Sequence, residues 1–318
     1  LHSFPTRRSS DLFNYDKLFG KHDLRLLAGY SWQEERRGDG FQTSNQGFVS
    51  DATQGDNLGL GSPRDGFLPN FGTTRIQTLR FISFYGRVNY QYAEKYLIQV
   101  SARRDGSSAF GANNRWGIFP AVSGAWKVSK EGFLANASWI EDLKLRAGYG
   151  VTGNSLGFDP LIATLRYDIT GKFYSDGKLI NAIGPVQNDN PNLKWERTGM
   201  ANIGIDFSIL RGRLGFTADY YDKRTTDLIY SYNVPTTQYF VPTMLANVGS
   251  MSNKGIELQV NAVPVKTASF TWTTSANIAY NKNRVLSLSN DIFSVKYLET
   301  ADRGGKGQSG NRSQLGQG

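Results

Sequence analysis

The chain contains no cysteine, only two histidines, and no stretch near the roughly 18 consecutive apolar residues that a membrane-crossing helix requires. The first absence removes disulfides, thiolate nucleophiles and cysteine metal sites. The second nearly removes histidine-based catalysis and zinc, because His2 lies in an atypical leader and His22 reads as a turn residue. The third excludes a helical span and leaves a β-barrel open, since barrels cross membranes with strands. Within Leu1 to Leu12 no apolar signal-peptide core follows Arg7-Arg8, so the chain reads as a piece of a longer exported protein. Gly304-Gly305-Lys306-Gly307 lacks the spacing and the following Ser or Thr of a phosphate loop, and reads as linker.

What is present suits one large β domain: 318 residues, 39% apolar and 13% aromatic. A mean hydropathy of -0.42 is compatible with a barrel, in which only alternate residues meet lipid. The net charge of +9 and pI near 9.5 come from scattered cations, often beside acids, as in Asp222-Lys223-Arg224 and Glu94-Lys95. That distribution suits a solvated surface rather than nucleic acid.

The dominant pattern is a run of about ten residues with every second side chain apolar, repeated about nine times between Leu24 and Tyr280. Leu24, Leu26, Ala28, Tyr30 and Trp32 share one strand face, because successive side chains point to opposite sides. Phe13 to Phe19 reads as the end of an earlier strand turning at Gly20-Lys21. Ile82 to Tyr92 and Tyr96 to Asp105 form a hairpin about Ala93-Glu94-Lys95. Trp116 to Val128 carries Pro120, which predicts a bulge or local break in the ladder. Residues 130–142 are expected to hold one helical turn. Leu143 to Val151, Ala201 to Ile209, Leu214 to Tyr220, Ile256 to Ala262 and Phe270 to Tyr280 complete the set. Long connections are expected at 34–79, 153–194 and 229–250, alternating with short ones. Tyr30, Trp32, Trp116, Tyr149 and Tyr280 fall near long-loop ends and Tyr92, Tyr96, Trp126 and Trp272 near short-turn ends, the arrangement of two aromatic girdles.

Such alternation, with two classes of loop, predicts an all-β antiparallel meander in a transmembrane barrel wall. The polar faces then supply the lumen. The lumen-facing candidates are Arg87, Asn89, Arg103, Asp105, Arg146, Glu257 and Gln259, with Asn202, Asp206, Asp219 and Asn261 beside them. Arg104 faces outward near a long loop and is expected to meet lipid headgroup phosphates.

Several strings in loops and strand ends go beyond what a barrel dictates. They are Arg104-Asp105-Gly106-Ser107-Ser108 with Phe110-Gly111, Asn114-Arg115-Trp116-Gly117 with Phe119-Pro120, Leu145-Arg146 with Tyr149-Gly150, and Thr152-Gly153-Asn154. Further along stand Asn190-Pro191-Asn192-Leu193-Lys194-Trp195-Glu196, Asp219-Tyr220-Tyr221, Asn247-Val248-Gly249 and Asn253-Lys254-Gly255-Ile256-Glu257. In this order they resemble the barrel of the SusC/RagA family of TonB-dependent outer-membrane transporters, over roughly Arg80 to Tyr280. Gly148 and Ala121 stand where that family often has Ser. The resemblance implies a barrel of about 22 strands closed by an N-terminal plug, in the cell outer membrane. It also implies a SusD-like surface lipoprotein partner, energy through TonB, and import of glycans or peptides. Neither plug nor TonB-contacting segment is legible here. The chain therefore divides into 1–12, which resembles non-native leader, 13–290, a partial barrel domain, and 291–318, a truncated strand or loop end.

No enzyme is expected. Paired-carboxylate chemistry needs a fixed separation that no spacing reveals, and a hydrolase nucleophile would find no suitable His. No cofactor is expected either. Asn188-Asp189-Asn190 and Asp105-Gly106 offer oxygens for calcium, but such clusters more often build turns. Asp105 is expected to bond the amides that follow it, with Gly106 at positive φ. Pro191 is expected to fix the chain before Leu193 and Trp195 return it to the wall. The rival reading is an ungated outer-membrane porin or adhesin, with a soluble sandwich as the reading outside membranes. By itself the chain is expected to show no heat-modifiable migration in detergent, because its first and last strands expose unpaired edges. Heat-modifiable migration of the chain alone overturns this.

Overall fold

The computed structural model describes residues 6–38, 43–44, 47–48, 70–71, 76–154, 159–288, 297–299 and 314–316. The 304–307 glycine run, Pro63, Pro69 and most of 34–79 lie outside the described residues. In chain order the strands are β1 (Arg7–Phe19), β2 (His22–Gly38), β3 (Thr43–Ser44), β4 (Asn70–Phe71), β5 (Ile76–Tyr92), β6 (Tyr96–Ser107), β7 (Trp116–Lys127) and β8 (Ile140–Asn154). They continue as β9 (Arg166–Ser175), β10 (Lys178–Gln187), β11 (Glu196–Ile209), β12 (Leu214–Asn233), β13 (Thr243–Lys266), β14 (Thr271–Ser287), β15 (Tyr297–Glu299) and β16 (Gln314–Gly316). Ten of them form one sheet in the order β1-β2-β5-β6-β7-β8-β11-β12-β13-β14, and three separate two-stranded ladders pair β3 with β4, β9 with β10 and β15 with β16. Among the described residues no helix is long and apolar enough to cross a membrane.

The sheet is an up-and-down meander, and its register turns the period-two sequence pattern into two continuous surfaces. Residues directly opposite each other on paired strands share a face. One row crosses all ten strands as Asp16, Arg25, Asn89, Gln99, Ser123, Gly148, Asn202, Tyr221, Gly255 and Asn281. The row one residue away, on the other face, reads Lys17, Leu24, Tyr90, Ile98, Gly124, Ala147, Ile203, Tyr220, Ile256 and Tyr280. The apolar face is exposed; Ile203 shows 59% of its surface and Tyr280 70%. A contiguous apolar surface of this extent calls for an apolar solvent.

The tight turns take their shape from left-handed backbone. Gly20, Ala93, Glu94, Leu210, Arg211 and Gly212 all have φ between 50° and 75°, the conformation whose twist matches a two-residue hairpin. At the other end the connections are longer, and two differ from the expected loops. Within 153–194 the chain builds the β9–β10 hairpin, whose alternation is blurred by the Ala182/Ile183 and Pro185/Gln187 register shifts. Within 229–250 the strands β12 and β13 continue to Asn233 and Thr243, so only 234–242 is loop. β1 begins at Arg7 rather than Phe13, and Arg7 to Leu12 pair in register with β2.

Two local expectations are corrected and a third is narrowed. Gly106 is in β6, opposite Ile82 and Trp116, and has no positive φ. Glycine is needed there because a Cβ would meet the Trp116 ring at 2.9 Å. Asp105 accepts from Arg103 Nε at 2.6 Å instead of from the following amides; the turn is closed by Ser107 Oγ and Ser108 Oγ, which accept the Ala109 and Arg80 amides. Pro120 causes no register shift with β6. It lies just past Ala121, where the β7–β8 ladder breaks off although both strands continue, the local break expected of a residue without an N–H.

At the short-turn end, residues 128–139 form two 3-10 turns, Val128–Lys130 and Gly132–Leu134. Glu131 accepts from Lys95 Nζ at 2.9 Å, Tyr96 Oη at 2.7 Å and Trp126 Nε1 at 3.0 Å. Lys130 pairs with Glu94 beside it. The Lys95, Tyr96 and Trp126 hydrogen bonds hold the Glu131 carboxyl down at about 2, from an ordinary 4.5. A carboxylate depressed on folding contributes stability above its unfolded value and loses it as pH falls through the folded one. In the full-length protein the Trp126 indole N–H resonance is therefore expected to stay constant from neutral pH to about 4.5, then to titrate with a midpoint near 2. Glu131→Gln should abolish the titration; a midpoint at the ordinary carboxylate value contradicts the clamp.

Candidate functional site

The polar face carries every lumen-facing candidate, and the register brings some of them together. Arg146, Gly204, Asp219 and Glu257 occupy one row across β8, β11, β12 and β13, and Lys144, Asp206, Thr217 and Gln259 the next. Arg146 donates to both carboxylate oxygens of Asp206 at 2.9 and 3.0 Å and to Asp219 at 3.1 Å. Lys144 reaches Asp206 at 2.7 Å, and Thr217 Oγ1 donates to it at 3.3 Å. The four charges cancel within the cluster. Gly204 makes this possible: a Cβ there would strike Asp219 Oδ1 and the Arg146 guanidinium. A planar guanidinium that forks onto one carboxylate and reaches a second holds three strands in one geometry.

A second cluster lies towards the long-loop end. Arg103 bonds Asp105, donates to Ser83 Oγ at 2.9 Å, and lies 5.7 Å from the Tyr85 ring centroid. Gln259 donates to Asn261 at 3.3 Å. Arg87 is exposed and shares a row with Ser101. Glu257 is exposed, with no ion pair among the described residues. Asn89 lines a cleft of about 440 Å³ together with Arg25, Gln91, Gln99, Ser123 and Asn202. Its lining offers donors, acceptors and both signs of charge, which suits a hydrated, polar occupant. Arg104, on the apolar face, places its guanidinium 4.7 Å over the Trp116 ring.

The strings in loops and strand ends converge on one apolar cluster at the long-loop end. Leu79 and Phe119, on the polar face, are met by Phe110, Ile162, Leu193 and Trp195 from the loops. Trp195 packs 4.7 Å from Phe110 and 5.5 Å from Phe119 between ring centroids, and its Nε1 donates to the Arg115 carbonyl at 3.0 Å. Leu193 is completely buried, and its carbonyl accepts the Gly111 amide. Asparagines clasp the neighbouring loops. Asn188 donates to the Val241 and Thr243 carbonyls and accepts from the Phe240 and Val241 amides. Asn190 donates to the Leu245 carbonyl and accepts the Asn192 amide. Asn247 spans Lys194 and Asp227. The side-chain oxygens of Asn188 and Asn190 are thus committed to backbone amides, the role of turn builders. Among the described residues no acid and histidine cluster could hold a metal. His22 contacts Tyr90 Oη at 2.7 Å and stacks on Phe19 at the short-turn end.

The profile of the TonB dependent receptor-like β-barrel family matches residues 3–314. The chain belongs to that family. TonB-dependent receptor P39 of Formosa agariphila is 38% identical over 297 residues, covering 92% of this chain and 27% of its own length. TonB-dependent receptor SusC of Bacteroides thetaiotaomicron is 34% identical over 295 residues, with 92% and 28% covered. The chain thus spans just over a quarter of these curated relatives. Its fold is similar to the RagAB peptide transporter, with a TM-score of 0.79, 26% identity, and 93% of this chain and 31% of that one covered. The siderophore receptor PirA from Pseudomonas aeruginosa, with a TM-score of 0.51 and 13% identity, is a likeness of fold alone. As part of a TonB-dependent receptor barrel, the ten-stranded sheet is an arc of a large transmembrane barrel of the outer membrane. The SusC/RagA resemblance read from the loop strings stands.

Sequence reading missed Lys144, Thr217 and Gly204 in the charge cluster, which only the register reveals. It also read Leu193 and Trp195 as a return to the wall, although they form the centre of the loop-end core. Gly204→Ala in the full-length protein should disrupt the Arg146 bridge and lower the denaturant midpoint. In a double-mutant cycle, Arg146→Met and Asp219→Asn should couple by about 1–2 kcal/mol; additive effects show that the bridge is incidental.

Proposed function

We propose that the protein to which this domain belongs imports glycans or peptides across the outer membrane, driven through TonB, with a SusD-like lipoprotein as its surface partner. The observation that carries this reading is the loop-end core: Phe110, Phe119, Leu193 and Trp195, the residues of the SusC/RagA-like strings, pack against one another. A bare porin wall needs no such structure. The polar face is the lumen wall, with Arg87, Asn89, Arg103, Asp105, Arg146, Glu257 and Gln259 facing the plug, water or passing solute. The protein performs no chemistry on its cargo. Its work is selection and passage.

The domain reading is 13–290 as barrel wall, with 1–12 outside it. Register supports the first boundary. Phe13 and Tyr15 oppose Ala28 and Leu26 on the apolar face, whereas Ser9 and Asp11 would put polar groups beside Trp32 and Tyr30. Lipid-facing charge is costly away from the interfaces.

Cells producing the full-length protein with its lipoprotein partner should accumulate labelled oligosaccharides or oligopeptides only while TonB is present. Uptake that persists without TonB identifies an ungated porin and overturns the proposal.

A further inference from the structure

The short-turn end contains a connection that a barrel does not require. β1–β2, β5–β6 and β11–β12 turn within a few residues, but β7 and β8 are joined through 128–139, longer than the 108–115 connection at the opposite end. This segment is fastened to the apolar side of the sheet. Glu131 takes hydrogen bonds from Tyr96 and Trp126, both members of the stacked Tyr92, Tyr96 and Trp126 series on the apolar face. At the segment's far end Trp139 meets Phe207 edge-on at 6.2 Å, and Phe207 continues the apolar face from Ile203 and Ile205. The Trp139 carbonyl accepts the Leu210 amide as well. Held at both ends, the segment nevertheless leaves Phe133 72% and Trp139 58% exposed.

Part of its backbone and both of its charges are satisfied within the protein. Amides of Glu131, Leu134, Ala135, Ala137 and Ile140 bond to carbonyls three residues back, as entry into a water-poor layer demands. Lys95 pairs with Glu131, and Lys130 with Glu94. Ser129 donates to Asp142. Exposed aromatic side chains beside a girdle, on a segment with paired charges, match an interfacial anchor rather than a polar loop.

We propose that residues 128–139 form a membrane-interface anchor, with Phe133 and Trp139 seated among the phospholipids of the leaflet at the short-turn side. Short turns of such barrels face the periplasm, so this is the periplasmic leaflet. Because the segment's own two charges, Lys130 and Glu131, are paired, the anchor takes zwitterionic phospholipid and gains little from anionic headgroups. It fixes how deep the β6–β11 part of the wall sits. The inference rests on the barrel-wall reading of the sheet.

The two can be tested separately in the full-length protein, with any other cysteines replaced, in phosphatidylcholine nanodiscs. Nitroxides are placed through Phe133→Cys, Ile203→Cys on the apolar face, and Lys178→Cys in the exposed β9–β10 hairpin. The ratio of oxygen to nickel-chelate collisions at 133 should exceed that at 178 several-fold, should change less than twofold when phosphatidylglycerol is added, and should fall towards the value at 178 in a Trp139→Ala background. Lipid exposure at 203 with water exposure at 133 overturns the anchor. Water exposure at 203 overturns the wall reading itself. A several-fold rise at 133 with phosphatidylglycerol overturns the zwitterionic assignment. Lipid exposure at 133 that Trp139→Ala leaves intact overturns the role of Trp139.

Discussion

In hydrocarbon no water competes for backbone groups, so each N–H and C=O must be bonded within the protein. Lateral pairing of ten sequential strands meets that demand for the interior of this sheet, and the rest of the molecule follows from its register. A slip of one residue between β5 and β6 would exchange Ile98 with Gln99 and turn the whole strand inside out. The register shifts of the main sheet lie outside the central rows, at Ser208/Ile209, Thr225/Leu228, Leu228/Ile229, Ser250/Met251 and Ala262/Val265. The central rows stay in step across all ten strands.

Once register is set, each face has its own problem. The apolar face needs only bulk and can be exposed to lipid. The polar face concentrates charges that would repel or remain poorly solvated, and it neutralises them both across strands, where Arg146 bridges Asp206 and Asp219, and along one strand, where Arg103 pairs with Asp105. Gly204 is part of this solution although it carries no functional group. A side chain at that point would occupy the path of the guanidinium.

The period of two made the fold class, the apolar faces and the hairpins at Gly20-Lys21, Ala93-Glu94-Lys95 and Arg211-Gly212 legible in the sequence, because each is encoded within about ten neighbouring residues. Contacts between distant strands were not legible. The Arg146 cluster depends on residues up to 73 positions apart, and no local pattern states their register. Loops misled for a related reason. Asp105-Gly106-Ser107-Ser108 has the composition of a turn, yet pairing with Trp116 draws Asp105, Gly106 and Ser107 into strand. Asn188 and Asn190 read as turn builders, and so they are, but the strand ends and loops that they join, as far away as Leu245, were not legible. The β9–β10 hairpin was hidden by bulges that shift its alternation.

The two ends of the wall are finished on opposite sides. At the long-loop end, Leu79 and Phe119 stand on the polar face, and Phe110, Leu193 and Trp195 fold over onto that face to bury them. Apolar side chains at the end of a polar wall make sense only if protein, not water, covers them. At the short-turn end, the covering segment instead crosses to the apolar face, through Glu131 on Tyr96 and Trp126 and through Trp139 on Phe207. Connections thus do different work according to the face they fold onto. One narrows the polar side and ties its loops together, and the other extends the apolar side outward. The parity of the residue on which a loop rests, Phe119 or Phe207, decides which.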